Sequence, residues 1–237
     1  MIYNLTEPLK TEKLKVFTTE SLSGYMEKYK TLLDKRLREF QAMRTASEER
    51  IFYELCYCIY TPQSNAVRCD EAVHMLSRDC SLEHLDMECL KVERASKKAR
   101  FWRTKSKRII EAWGRYMSDG TVKLMSFIKQ LEKSYSNQIG LRNRLREEFK
   151  GLGLGMKETS HFLRNIGFGE NIAIIDRHIL SCLAELRVID ESMSALKSDK
   201  DYLWIEKNTL QFSGEIGIPS VELDLIFWSA KTGFIYK

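Results

Sequence analysis

Three prolines and twelve glycines in 237 residues leave few forced breaks in the chain. Stretches that alternate with the period of a half-buried strand are scarce, which argues against a β architecture. No apolar run approaches the length of a membrane span, so no membrane partner is expected. Residues 1–11 lack the apolar core of a secretory signal. The six cysteines, Cys56, Cys58, Cys69, Cys80, Cys89 and Cys182, have no disulfide-framework spacing. A reduced, intracellular protein is expected, in cytoplasm or nucleoid, or in a nucleus if eukaryotic. Cys69, His74, Cys80, His84 and Cys89 fall in one short stretch, but none of their gaps is the Cys-x-x-Cys of zinc and iron–sulfur sites. No metal is expected there.

What the chain does have is charge, unevenly distributed. The net charge is +5. Residues 91–150 carry 17 Lys and Arg against 6 Asp and Glu, whereas the rest has 21 against 27. A basic stretch inside an otherwise acidic protein is the asymmetry of a polyanion-binding face, although a solvated helix surface gives the same count.

Amphipathic helical spacing recurs throughout and predicts an all-α fold. Helices are expected over 21–45, 48–60 with Ser47 as N-cap, 70–77, 82–92, 105–117, 124–134, 143–149, 156–166, 177–186, 202–214 and 220–229. Gly114, Gly120 and Gly140 read as terminators or turns, and Gly167 as a left-handed cap. The first twenty residues read as a loosely held extension.

Between the helices at 143–149 and 156–166 stands Gly153-Leu154-Gly155-Met156-Lys157. A glycine hairpin opening a helix presents backbone amides to a phosphate. A lysine in a helix's first turn sits near the positive end of the helix dipole. Nineteen positions on, the apolar run Ile172-Ala173-Ile174-Ile175 ends in Asp176. An aspartate there is a natural N-cap, and a cap also fixes a carboxylate in place. Together these make an amine nucleophile and an acid–base partner beside a nucleic-acid backbone. Each part has a plainer reading: a helix connector, a solvated lysine, a cap.

The run from Gly153 through Lys157-Glu158-Thr159-Ser160-His161-Phe162-Leu163-Arg164-Asn165 to Gly167, followed by Ala173 to Leu180, resembles the archaeal and bacterial 8-oxoguanine DNA glycosylase/AP lyases of the helix-hairpin-helix-GPD superfamily. The resemblance extends to Glu54–Ala66, Ala99–Phe101, Asp224–Trp228 and Lys231–Gly233. It implies a two-lobed fold with the active site between the lobes. One lobe would be 21–70 with 176–237, the other the basic segment 71–175, with the helix-hairpin-helix at about 141–166 and residues 1–20 as an extension. It further implies Lys157 as Schiff-base lysine, Asp176 as essential aspartate, and Gly153, Leu154, Gly155 and Met156 as backbone-binding residues. Lys237, Trp228, Phe101 and Gln63 are implied at the base-recognition site. The implied partner is double-stranded DNA containing oxidised guanine, handled by a monomer without cofactor or metal. The implied reaction is base excision followed by β-elimination. Tyr236 before Lys237, Ser229 after Trp228, and Glu170-Asn171 in the connection to Asp176 depart from the group's pattern. Alternatives that remain are a glycosylase of the same superfamily for another damaged base, a non-catalytic helix-hairpin-helix clamp, and a basic helical adaptor.

Overall fold

A computed structural model describes residues 3–193 and 195–237. The described chain is dominated by helices: α1 (Thr19–Ala42), α2 (Glu48–Tyr60), α3 (Ala66–Asp79), α4 (Cys89–Ser96), α5 (Trp102–Tyr116), α6 (Leu124–Glu132), α7 (Gln138–Glu148), α8 (Met156–Asn165), α9 (Arg177–Glu185), α10 (Asp199–Ile216) and α11 (Ser220–Thr232). Four two-residue strands make two small antiparallel pairs. β1 (Leu9–Lys10) pairs with β4 (Phe234–Ile235), and β2 (Met117–Ser118) with β3 (Thr121–Val122). Two residues carry no usable periodicity, so these strands have no sequence signature.

The backbone packs into two compact units. The first comprises the residues up to Thr6 with Met43–Phe162; the second is Glu7–Ala42 with Leu163–Lys237. The divisions therefore fall at 6/7, at 42/43 and, within α8, at 162/163. The expected lobes divide the chain at 70/71 and 175/176 instead, and so place α2 with the chain ends.

In the first unit α2 is the centre. Ser47 caps it by accepting from the Arg50 amide, and every residue from Ile51 to Tyr60 is buried. An apolar helix without a polar face has to be surrounded, and α3, α5 and α6 pack against it. Phe149 and Phe162 meet edge-on at 5.5 Å, joining α7's end to α8. In the second unit α1, α9 and α10 pack on α11. Buried Leu223, Ile226 and Phe227 of α11 join Leu22 and Leu33 of α1 and Leu183 of α9 in that core.

Several expectations are corrected. Residues 82–92 do not form one helix; a 3-10 turn over Leu82–Glu88 is interrupted at His84, and α4 follows. Gly114 lies inside α5 and Gly140 inside α7, where a single glycine costs only about 1 kcal/mol relative to alanine. Gly120 does turn the chain, between β2 and β3. Residues 3–20 are not loosely held; residues 1 and 2 lie outside the described residues. In the first unit the Tyr3 amide donates to Ser77 Oγ and the Thr6 amide to Asp70 Oδ2. In the second, β1 pairs with β4, the Leu14 amide bonds Ala230 O, and Phe17 is buried against Phe227. Among the described residues no helix is long and apolar enough to cross a membrane.

Candidate active site and nucleic-acid interface

The predicted hairpin forms between α7 and α8, and α5 holds it. Arg115 Nη1 donates to Glu148 O at 2.8 Å and to Lys150 O at 3.1 Å, satisfying carbonyls at the end of α7. One turn earlier on the helix, Glu111 pairs with Arg115. Two turns before Arg115, the Arg108 guanidinium lies against Gly153. That glycine has φ +78°, and a methyl group on it would stand 2.1 Å from Arg108 Nη1. Gly155 differs: its φ is not positive, and its amide donates to Glu158 Oε2 at 3.2 Å. The amides of Gly153, Leu154, Met156 and Lys157 have no acceptor among the described residues. Several donors at a helix N-terminus beside a guanidinium form an anion-binding arrangement.

Lys157 stands in the first turn of α8 and is half-buried. Its Nζ makes no hydrogen bond or ion pair among the described residues. The next turn of α8 is fixed in the first unit's core. Ser160 Oγ accepts from the fully buried Arg142 at 2.9 Å, and His161 meets Tyr57 edge-on.

Asp176 belongs to the second unit. It caps α9 as the sequence predicts: Oδ1 accepts from the amides of His178 at 2.8 Å and Ile179 at 2.9 Å. Oδ2 takes no hydrogen bond among the described residues. The buried segment leading to Asp176 is tied to α10. The Ala173 amide donates to Glu206 Oε1 at 3.1 Å, and Tyr202 Oη donates to Ala173 O at 2.7 Å. The carboxylate is thus held from both sides, by its own cap and by the segment before it. Burial lowers the pKa of neighbouring His178, with the Asp176 charge opposing.

The base-recognition candidates divide between the units. In the second, Trp228 meets Phe234 edge-on at 4.9 Å and stacks on Tyr236 at 6.4 Å. Tyr236, the aromatic departure beside Lys237, is therefore part of this cluster. Lys237 is buried, and burial pulls its ammonium well below the ordinary lysine range. Ser229 is also buried and bonds Tyr25 Oη at 3.1 Å, so it packs inward beside Trp228 rather than with the rings. In the first unit Gln63 and Phe101 are both exposed, and both have left-handed backbone, at φ 54° and 56°.

The sequence reading passed over Arg108, Arg115, Tyr202, Glu206 and Lys105. Lys105, in the basic stretch, is buried, and burial pulls its pKa down to about 8. None sits in a recognisable motif; each matters through a distant partner. Among the described residues no group of three or more His, Cys, Asp or Glu could hold a metal ion. His74 bonds Tyr3 O, and Cys69 lies against Tyr60 O.

Two helices around an amide-rich hairpin, with a lysine in the second and a capped aspartate beyond it, define a helix-hairpin-helix protein of the DNA glycosylase class. A family model described as 8-oxoguanine DNA glycosylase matches residues 33–218, and the chain belongs to that family. The 8-oxoguanine DNA glycosylase/AP lyase of Fusobacterium nucleatum is 37% identical, over 85% of this chain and 89% of its own length. That of Methanocaldococcus jannaschii is 34% identical, over 88% and 93%. Among solved structures, the M. jannaschii enzyme in complex with 15mer DNA containing 8-oxoguanine superposes with TM-score 0.74 at 31% identity, covering 92% of this chain and 99% of that one. The Thermotoga maritima 8-oxoguanine DNA glycosylase gives TM-score 0.74 at 27% identity, covering 92% and 98%.

Proposed function

We propose that this protein excises 8-oxoguanine from duplex DNA and cleaves the strand at the abasic site it creates. The observation that carries the reading is Lys157: family membership is joined to an amine without a partner in the helix that the hairpin opens. The hairpin amides and Arg108 would take a phosphate of the damaged strand, fixing register without reading sequence. The target nucleotide must leave the stack, because its glycosidic carbon is shielded there. The neutral amine of Lys157 attacks C1′. The glycosidic bond breaks, and the base departs with the bonding electrons.

Asp176, through Oδ2, stabilises the developing positive charge and relays protons. The sugar ring opens to a Schiff base on Lys157. Loss of a C2′ proton then expels the 3′ phosphate by β-elimination. Trp228 supplies a stacking face for the base and Lys237 a polar contact, and Gln63 and Phe101 are assigned to base recognition as well. Every group in this scheme is a side chain or amide of one copy, and the substrate is DNA, so we read the enzyme as an intracellular monomer.

The test is covalent trapping. With duplex DNA holding one 8-oxoguanine, borohydride should capture an adduct with the wild type and none with Lys157→Gln. No adduct and no strand cleavage by the wild type would refute the enzyme reading. Cleavage only of oxidised pyrimidines would move the substrate to another damaged base.

A further inference from the structure

Lys105 lies in the middle of the basic stretch, yet its side chain is turned inward and only 2% exposed. Its Nζ donates to Tyr60 O at 2.7 Å, to Pro62 O at 2.7 Å and to Ser64 Oγ at 2.9 Å. Three donors meet three acceptors, the full capacity of an ammonium. The first acceptor is the last carbonyl of α2; the other two lie in the loop that follows. Ser64 Oγ also accepts the Arg100 amide at 3.0 Å, so the same node reaches the loop before α5.

Each of these two loops carries one exposed non-glycine residue in left-handed backbone, Gln63 beside Ser64 and Phe101 beside Arg100. Such conformations persist where the surroundings over-determine them and cluster at functional sites. The node is what over-determines both. An exposed aromatic ring and an exposed amide, fixed on loops beside a basic helix, suit stacking and hydrogen bonding to bases rather than to backbone.

We infer that Lys105 is a positioning residue for base engagement: through the loop carbonyls and Ser64 it holds Gln63 and Phe101 in the conformations that meet the DNA bases. The inference rests on the glycosylase reading. Lys105 touches no reacting atom in this scheme, so its loss acts on extrusion and capture of the base more than on the amine chemistry of Lys157.

The experiment compares wild type, Lys105→Met and Ser64→Ala on two duplexes, one with 8-oxoguanine and one with a preformed abasic site, under single-turnover conditions with borohydride trapping. Lys105→Met should lower 8-oxoguanine excision by about tenfold more than it lowers abasic-site trapping. Ser64→Ala, which removes the acceptor shared by the Lys105 ammonium and the Arg100 amide, should shift the same ratio in the same direction. Adding Phe101→Ala to Lys105→Met should cost little beyond the single changes, because one removes the support of the other. Equal losses on both duplexes, no loss, or fully additive losses would overturn the inference. Should Lys105→Met not fold by circular dichroism, Ser64→Ala decides alone. A wild type that traps on the abasic duplex but excises nothing overturns the substrate reading, and the inference with it.

Discussion

In the proposed scheme Asp176 has two jobs, capping and catalysis, that a single substitution can separate. Its Oδ1 accepts two amides at the start of α9, while Oδ2 takes no bond among the described residues. Asparagine caps a helix about as well as aspartate, whereas alanine in place of a cap costs about 1 kcal/mol. Asp176→Asn is therefore expected to match wild-type stability in urea yet lose about 10²–10⁴-fold in single-turnover excision, the range of a lost acid–base group. Asp176→Ala should lose both. An Asn variant that excises at the wild-type rate would reduce Asp176 to a cap. Asp176 and Lys157 were legible in the sequence because cap and hairpin are local patterns. Lys105, Tyr202 and Glu206 were not: their acceptors and donors lie 29 to 45 residues away, and no window of sequence brings them together.

For the hairpin, the two glycines of the Gly-x-Gly pattern turn out to be unequal. Gly153 has a left-handed φ and Arg108 against its Cα; Gly155 has neither, and a methyl group there would meet only Glu158 Oε2, at 3.4 Å. Gly153→Ala is expected to cost about 1–2 kcal/mol from backbone strain alone. It should also weaken binding to a duplex carrying an abasic-site analogue, because the methyl group displaces Arg108. Gly155→Ala should stay near wild-type stability. Chemical denaturation and fluorescence anisotropy would check both; equal effects at the two positions would contradict the assigned roles. Long helices such as α2 were readable end to end from their apolar spacing and caps. Gly114 and Gly140 misled because a glycine breaks a helix only when packing does not hold it, and packing is not written locally.

Across the whole chain, the basic stretch accounts for DNA affinity only in part. Of its cations, Lys105 and Arg142 are buried, Arg115 serves α7's carbonyls, and Lys91, Arg144 and Arg146 pair with glutamates. With Lys98 paired to Glu71 as well, seven of the 17 are already engaged. Binding to undamaged duplex should weaken linearly in log–log form as salt rises, by about 0.9 in slope for each phosphate contact. Arg108→Ala should reduce that slope by about one without altering the preference for the lesion, since a phosphate contact carries no base information. A variant with an unchanged slope would remove Arg108 from the interface.

By itself the sequence determined the helical class, the hairpin with its lysine, and the capping aspartate, because helix periodicity, turn chemistry and capping act over a few residues. Only the tertiary structure decided which cations of the basic stretch face solvent and which of the two hairpin glycines has a left-handed backbone. It also decided how the N-terminal residues are anchored, and that one lysine of that stretch is an internal clamp. Those outcomes depend on contacts between residues far apart in the chain, where burial and hydrogen-bond satisfaction rather than local propensity set the free energy.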